Sequence, residues 1–309
     1  MSATAPPTRT LFFGSGSVAL PVLSRLLDSD LVEIESVVTA PPRPAGRKGR
    51  LTPTPVADLA AEHELTIRTP RTLRDEAVQT ELAGTGAELI VLADYGRIIP
   101  GAVLDLPRHG ALNIHPSLLP RHRGATPVTG TILEGDDVAG VTVMRMDEGL
   151  DTGPIVAQRE VQLEGTEVAP ELEARLAEMG AELLLEVLPG WLDGSVTATP
   201  QPAEGATLTR MLRREDGRLD SARSAAELER QVRAYQPWPG SFLDHDGARL
   251  KVWAASVLGQ DVTVEPGTII LTEGTLGLGT VDGVLRLDEV QPAGKRRMSG
   301  AEYRRGKRL

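Results

Sequence analysis

Apolar residues in the first half of the chain fall into short, almost continuous runs, separated by stretches whose apolar residues lie three and four apart. The runs predict strands at Thr10–Phe13, Leu31–Val38, Glu88–Leu92, Ala111–His115 and Val141–Met146. Strands this apolar are typical of a sheet that is covered on both faces. The intervening stretches predict helices at Val18–Leu27, Pro55–His63, Asp75–Leu82 and Thr126–Leu133. The alternation predicts an α/β fold with a doubly wound, mostly parallel sheet.

The pattern changes after a long helix, predicted at Pro170–Val187, whose leucines share one side. Residues 194–206 are small, polar and rich in proline, which is typical of an extended linker. Beyond them, a helix at Ala225–Ala234 precedes short strands at Arg249–Ala254, Gly267–Leu271, Leu276–Leu278 and Val284–Val290. This spacing predicts a small β-barrel, OB-like, or a sandwich. We therefore predict a first domain at 1–193, a linker at 194–206 and a C-terminal β-barrel domain at 207–309.

Composition narrows the class of protein. The 309 residues are 40% hydrophobic but only 3% aromatic, so Leu, Val, Ile and Ala must fill the core. No apolar run approaches the roughly 20 residues that span a bilayer, and the N-terminus lacks a secretory core, so we expect a cytoplasmic protein. The absence of cysteine excludes disulfides, thiolate nucleophiles and Cys-ligated zinc. His63, His109 and His245 lack ligand-like neighbours, so no metal is expected.

Charge is distributed unevenly along the chain. The net charge is −10, but residues 1–200 contain 16 Lys and Arg against 28 Asp and Glu, whereas residues 201–309 contain 17 against 15. The last nineteen residues hold seven Lys or Arg and one acid. A basic end of this kind indicates either a solvated, frayed terminus or a surface for a phosphate backbone, and composition alone favours the first.

The candidate chemistry is concentrated in three polar residues. Asn113 and His115 end an apolar strand, and Asp151 follows thirty-six residues after the histidine. Because side chains alternate along a strand, Asn113 and His115 are expected on one face, at the sheet edge where doubly wound folds bind ligands. An amide and an imidazole can stabilise an oxyanion, and a carboxylate can fix the ring's tautomer and take a proton. The set predicts acyl-type transfer.

The motifs around these residues resemble those of the folate-dependent formyltransferases. The motifs typical of the wider superfamily are Asn113-Ile114-His115 with Pro116-Ser117-Leu118-Leu119-Pro120-Arg121, and Met146-Asp147-Glu148-Gly149-Leu150-Asp151-Thr152-Gly153. Further similar stretches are 43–47, 95–96, 140–144, 233–239 and 291–295, so the resemblance covers nearly the whole chain. Arg43-Pro44-Ala45-Gly46-Arg47 and Pro237-Trp238-Pro239 point to the branch that formylates initiator methionyl-tRNA.

The resemblance implies a Rossmann-like formyltransferase domain in which Asn113, His115 and Asp151 are catalytic. It implies 10-formyltetrahydrofolate as the formyl donor, held against the segment Ser117, Leu118, Leu119 and Pro120. The amine of methionyl-tRNA would attack the formyl carbon while the amide and a protonated His115 donate hydrogen bonds to its oxygen. Asp151 would favour that imidazolium. The implied partner is initiator methionyl-tRNA, used in translation initiation, and we expect a monomer.

The residues expected to contact tRNA are basic. Residues 41–50 hold four positive charges in a loop after the second strand. A solvated loop is the simple interpretation, but its position at the strand-end face favours phosphate contact, and the resemblance implies a wedge against the acceptor stem. The residues assigned to tRNA binding are Arg43, Arg47, Lys48, Arg50, Lys295, Arg296 and Arg297.

The turn after the first strand departs from the family pattern. Gly14-Ser15-Gly16-Ser17-Val18 stands where the family usually has Gly-Thr-Pro, an acid and Phe, which bears on the aminoacyl end of the substrate pocket. A dinucleotide site is disfavoured, because Ala19 replaces the third glycine and no acid follows the second strand. A tight strand-to-helix turn explains the glycines better. Pro42 and Ser221 also replace residues that are common in the family.

The sequence leaves three other functions open. A relative acting on an amino sugar or another small amine would share the catalytic set, although the full C-terminal domain argues against it. A tRNA-binding relative without catalysis would keep the basic residues, yet the catalytic set is intact. An NADP-linked oxidoreductase would use Arg43 and Arg47 for a 2′-phosphate, and it ranks last.

Overall fold

The computed structural model describes residues 6–45, 49–258, 264–272 and 274–307. The chain divides into two compact units. The first unit consists of Met1–Pro127, Val138–Val161 and Glu173–Thr209, and the second of Val128–Asp137, Gln162–Leu172 and Arg210–Leu309. Neither unit is continuous in sequence, because two short segments of the first 200 residues cluster with the C-terminal part. The division at 193 and 207 stays a prediction.

All the strands and helices predicted for the first half are present. Up to residue 209 the elements are β1 (Thr8–Gly14), α1 (Ala19–Leu27), β2 (Val32–Val38), β3 (Arg43–Ala45), β4 (Arg50–Thr52), α2 (Pro55–Glu62), β5 (Ile67–Arg68), α3 (Glu76–Ala83), β6 (Leu89–Ala93), α4 (Gly101–Leu104), β7 (Ala111–His115), β8 (Arg123–Gly124), α5 (Pro127–Glu134), β9 (Val138–Arg145), β10 (Ile155–Gln162), α6 (Ala169–Asp193) and β11 (Leu208–Thr209). In the described ranges, no helix has both the length and the apolar composition needed to cross a membrane.

Seven strands form the main sheet of the first unit, in the order β10-β9-β7-β6-β1-β2-β5. Strands β5, β2, β1, β6 and β7 run parallel to their neighbours, and β9 runs antiparallel to β7. The predicted α/β class with a mostly parallel sheet is confirmed. From β1 the chain builds outward through β2 and β5, and it then returns to β6 and β7 on the other side. The carboxyl ends of β1 and β6 therefore flank the crevice where such sheets bind ligands.

Helices cover both faces of this sheet, which explains why its strands are apolar on both sides. One core contains α1, α2 and α6 with Ile114 of β7, and the other contains α3 and α4 with Ala111 of β7. Side chains alternate along a strand, so Asn113 and His115 lie on the same face as Ala111, opposite α6.

Local sequence signals determine several helix starts. Thr54 caps α2 and Asp75 caps α3, each by accepting a hydrogen bond from a backbone amide of the first turn. Ser224 and Glu227 form a reciprocal capping box at the start of the helix Ala225–Ala234. These caps satisfy amides that the helix itself leaves unpaired, and they fix where each helix begins.

The second unit is built on an antiparallel sheet. Its elements after residue 209 are a 3-10 helix (Arg214–Gly217), α7 (Ala225–Ala234), β12 (Ser241–His245), β13 (Ala248–Leu258), β14 (Ile269–Thr272), β15 (Thr275–Thr280), β16 (Gly283–Pro292), β17 (Met298–Ser299) and α8 (Gly300–Lys307). The strand order is β12-β13-β16-β15-β14, and β17 pairs with β16. The predicted C-terminal β domain is confirmed, and its sheet is antiparallel, whereas its closure into a barrel stays a prediction.

The basic end of the chain is not a frayed terminus. Residues 300–307 form α8, and Tyr303 of this helix is only 7% exposed. Tyr303 joins the core of the second unit, which also contains Leu228 and Val232 of α7. The possibility of a frayed end was wrong for these residues, since the buried Tyr303 packs the helix against this core, although Arg305 on the same helix is exposed.

Gly180 lies where α6 packs tightly against the sheet. A Cβ at this position would lie 2.5 Å from Ile114 Cγ2 and 2.9 Å from Val141 Cγ2. Gly180→Ala should lower the free energy of unfolding in urea by about 1–3 kcal/mol, because the packed core must shift. Gly306→Ala is the matched control: a Cβ there meets nothing within 4 Å, so stability should be unchanged or up to about 1 kcal/mol higher. Native stability of Gly180→Ala would contradict this packing.

Candidate active site

The candidate site lies at the carboxyl end of β7, where Asn113 and His115 are 5% and 4% exposed. β7 is a central strand, and Asn113 pairs with Leu92 on β6 and with Met144 on β9. A strand held on both sides keeps its side chains in fixed places, so the amide and the imidazole have a rigid support.

The His115 ring is oriented by the backbone of the loop that follows it. Its Nε2 lies 3.0 Å from the carbonyl oxygen of His122. A carbonyl only accepts hydrogen bonds, so Nε2 must carry a proton and donate it. In the neutral ring the lone pair is then on Nδ1, which is the nitrogen that can take a proton from a substrate.

Asp151 supplies the third group. Its Oδ2 lies 3.8 Å from His115 Nδ1 and accepts a hydrogen bond of 2.8 Å from Gly124 N. The residue has a φ of +52°, in the left-handed region, and in this turn its carboxylate lies beside the ring. The structure thus brings together the three residues that the sequence predicts as catalytic, while their roles stay a prediction.

Burial decides the charge of His115 in the free site. Removal from water lowers the pKa of the His115 imidazole below 6.5, and this outweighs the raising effects of the Asp151 carboxylate and the His122 carbonyl. The ring is therefore expected to be neutral at rest, because desolvation disfavours the charged form, and the protonated ring assigned to the transfer step stays a prediction. A ring protonated at Nδ1 would place its positive charge beside the Asp151 carboxylate.

The segment expected to contact the folate is held by an internal network. Ser117 and Leu119 are 1% and 3% exposed, whereas Leu118 and Pro120 are half-buried. The Thr142 hydroxyl donates to Ser117 O at 2.6 Å and accepts from Leu119 N at 3.1 Å. This network fixes the loop at the end of β7, and its contact with the folate stays a prediction.

Residues from other segments complete the site, and no role in it was predicted for them from the sequence. Thr142 on β9 anchors the loop after β7, and Gly124 N binds the Asp151 carboxylate. Gln201, inside the predicted linker, donates to backbone oxygens of the turn that contains Asp151. Residues of this kind carry no spacing pattern, because their role arises only where segments far apart in the chain approach each other.

Asp94 was not predicted either. It follows β6, and both Ser15 N and Gly16 N donate to its carbonyl oxygen. A Cβ on Gly16 would collide with the Asp94 carboxylate, so the tight strand-to-helix turn needs glycine here. Although part of Asp94 is exposed, its carboxyl group is shielded from water, which raises its pKa to about 6. The turn therefore places a further titratable group at the crevice.

The basic loop after β2 forms a hairpin of β3 and β4. Ala45 pairs with Arg50, and the alternation along β3 then puts Arg43 and Arg50 on the same face. Both arginines are exposed. Arg47 and Lys48 lie outside the described residues.

One of the basic residues near the C-terminus, Arg297, lies over a tryptophan ring. Lys295, Arg296 and Arg297 are exposed in the segment between β16 and β17. The Arg297 guanidinium carbon lies 3.3 Å from the centroid of the Trp253 ring, and Lys251 Nζ lies 5.7 Å from it. We call Lys251, Trp253 and Arg297 the cation–aromatic patch. Its contact with phosphate stays a prediction.

An amide, a neutral imidazole and a carboxylate thus meet at one strand end. Such a set can hold an oxyanion and move a proton from one nitrogen to another. Among the residues that the structure describes, no group of three or more His, Cys, Asp or Glu is placed to hold a metal ion.

Comparison with protein families assigns a class to this fold and site. The family model described as formyl transferase matches residues 8–188, and the model described as formyl transferase, C-terminal domain, matches residues 211–308. The chain belongs to the formyl transferase family. The enzyme class predicted from the motifs is therefore confirmed.

Individual relatives agree with this class. The methionyl-tRNA formyltransferase of Chloroflexus aurantiacus is 46% identical over 303 residues, which cover 96% of each chain. HypX from Aquifex aeolicus in complex with tetrahydrofolic acid has a TM-score of 0.63 at 18% identity, over 97% of this chain and 47% of that one, so this chain spans about half of HypX. The N-formyltransferase from Helicobacter canadensis, with folinic acid and dTDP-3-aminofucose, has a TM-score of 0.68 at 15% identity. This match covers 93% of this chain and 99% of that one. The two structures share the fold.

The pH dependence of formyl transfer should report the neutral His115. A proton acceptor must be unprotonated, so activity is lost as the pH falls through its pKa. Because burial lowers this pKa, the acid limb of kcat/KM should lie below 6.5. The pKa of the Asp94 carboxyl is raised to about 6, so this group could also produce an acid limb. Measuring the same profile in Asp94→Asn, which lacks that carboxyl, distinguishes titration of Asp94 from titration of His115. A limb above 6.5 in both proteins would contradict a neutral resting ring.

Proposed function

We propose that this chain transfers the formyl group of 10-formyltetrahydrofolate to the α-amino group of methionyl-tRNA, which prepares the initiator tRNA for translation. The observation that carries the proposal is the meeting of Asn113, His115 and Asp151 at the end of β7, with Nδ1 left to accept a proton. A relative named for this activity aligns over 96% of both chains. The tetrahydrofolic acid and folinic acid bound to two proteins of the same fold support a folate donor.

The chemistry follows from these three residues. As the amine attacks the formyl carbon, negative charge develops on the formyl oxygen, and the Asn113 carboxamide donates a hydrogen bond to it. The attacking nitrogen becomes positive and loses a proton to His115 Nδ1, which lies 3.8 Å from Asp151 Oδ2. The imidazolium then gives this proton to the departing nitrogen of the folate as the carbon–nitrogen bond breaks. The formyl group stays on the amine, and the ring is neutral again.

Charge supports RNA as the carrier of the amine. Arg43 and Arg50 lie together on one face of the β3–β4 hairpin, and the cation–aromatic patch lies in the second unit. Arginines and lysines bind the phosphate backbone, and an aromatic ring can stack on an unpaired base. The proposal places the protein in the cytoplasm as a monomer.

A competition assay tests the acceptor. Labelled 10-formyltetrahydrofolate is offered with charged initiator tRNA, elongator methionyl-tRNA and free amines, including a nucleotide-linked amino sugar. We expect transfer to the initiator methionyl-tRNA. Asn113→Ala should lower kcat by about 10²–10³, because one oxyanion donor is removed.

Three outcomes would contradict the proposal. Transfer confined to free amines would favour the amino-sugar alternative. Binding of tRNA without any transfer would favour a non-catalytic relative. Near-normal turnover by folded Asn113→Ala would remove this residue from the mechanism.

The cation–aromatic patch makes a separate prediction. Arg297→Ala and Lys251→Ala should each weaken methionyl-tRNA binding and lower the slope of log Kd against log salt by about 1 for each phosphate that the variant no longer neutralises. Arg74→Ala, which removes an exposed charge from the segment before α3, is the matched control for the removal of one cation. If both patch variants keep the native slope, the patch does not contact the RNA backbone.

A further inference from the structure

Gln201 lies in the segment that the sequence predicts as a linker, and it is half-buried while residues 202–208 are exposed. Its Nε2 donates to Asp151 O at 2.8 Å and to Gly153 O at 2.7 Å. Its Oε1 accepts from the Arg123 side chain, from Nε at 3.0 Å and from Nη2 at 2.6 Å. A carboxamide has two N–H donors and two lone pairs, so its full hydrogen-bonding capacity is used within the protein.

These bonds join two walls of the active site. One wall is the turn that presents the Asp151 carboxylate, whose backbone oxygens accept from Gln201. The other wall contains Arg123, which directly follows His122, and the carbonyl oxygen of His122 accepts from His115 Nε2. Gln201 therefore ties the segment that orients the ring to the turn that carries the carboxylate.

Gln201 is itself held between two anchors. Downstream, Thr207 Oγ1 accepts from His122 N at 2.8 Å, and β11 pairs in parallel with β8. Upstream, Thr199 forms an antiparallel bridge with Ile155. The backbone on both sides of Gln201 thus returns to the catalytic segments, and the amide has little freedom to move away.

The conformation of Asp151 requires such support. Its φ of +52° lies in the left-handed region, which aspartate adopts more readily than most residues but at some cost, and the two hydrogen bonds from Gln201 hold the backbone on both sides of this turn. We propose that Gln201 is a positioning residue that keeps the Asp151 carboxylate facing His115 Nδ1. Its effect on rate rests on the proposed function, whereas its effect on the ring does not.

NMR titration of the His115 ring tests this position without any substrate. The charged groups that act on the ring are Asp151, which raises its pKa, and His122, which lowers it. In Gln201→Leu the turn loses its two hydrogen bonds and the Asp151 carboxylate moves away from the ring, so the pKa of His115 should fall by roughly 0.5 unit or more, as it should in Asp151→Asn. His115→Asn identifies the ring's signal among those of the five histidines. An unchanged His115 pKa in Gln201→Leu overturns the proposal.

Gln201→Glu tests the donor and the acceptor contacts of this side chain separately. A carboxylate still accepts from Arg123 but cannot donate to the two backbone oxygens of the turn. We expect kcat for formyl transfer to fall about tenfold to a hundredfold through misplacement of a catalytic group, with KM for both substrates within about twofold of native.

Gln79→Glu is the matched control for this variant. It removes the hydrogen bond that another half-buried amide makes to Leu73 O, and it should leave kcat unchanged. Native kcat in Gln201→Glu would overturn the positioning role. If the native protein transfers no formyl group at all, the proposed function falls while the titration still decides the role of Gln201.

Discussion

The hydrogen bond from His115 Nε2 to the carbonyl oxygen of His122 is the contact on which the site depends. It assigns the two ring nitrogens different tasks, because the one that donates to the backbone cannot accept a proton from the substrate. Nδ1 is left facing Asp151. The central position of β7 and the close packing of α6 at Gly180 keep the ring where this assignment holds.

The resting charge state avoids the main cost of burying ionisable groups together. A permanent ion pair would lose the hydration of both charges, and attraction between them repays that loss only with excellent geometry. Here the ring is neutral at rest, and the one charged partner keeps a backbone hydrogen bond from Gly124 N. In the proposed mechanism, positive charge appears on the ring only when a proton arrives from the substrate, and the carboxylate then stabilises it.

The fold was predictable because the same pattern of apolar residues recurs in strand after strand of the sequence. Runs such as Glu88–Leu92 and Ala111–His115 must be apolar on both faces to lie inside a sheet covered by helices, and this leaves a clear pattern in the sequence. β10 was missed because it is the edge strand of the sheet and its residues alternate between half-buried and exposed. α8 was missed for a similar reason, since one buried tyrosine is too weak a pattern to identify a helix.

The catalytic site was predictable only in part. Asn113, His115 and Asp151 stand in motifs that resemble a family, so they were found together. The resting charge of the ring was not predictable, because residue type indicates which groups titrate but not how far they are removed from water. Gln201 was overlooked because its neighbours have the composition of a linker, and only the three-dimensional approach of the turn gives the amide its partners.

Residues 199–209 return to the candidate site, where β11 pairs with β8. This determines how far a truncated fragment must extend to keep the site intact. A fragment ending at residue 193 would retain all seven strands of the main sheet and the three side chains predicted to be catalytic. It would lack Gln201 and the Thr207 hydroxyl that accepts from His122 N. The segment that orients the His115 ring and the turn that carries the Asp151 carboxylate would then lose the hydrogen bonds that connect them. The minimal fragment with a fully assembled site therefore extends through Thr209, beyond the point where amino-acid composition suggests that the first domain has ended.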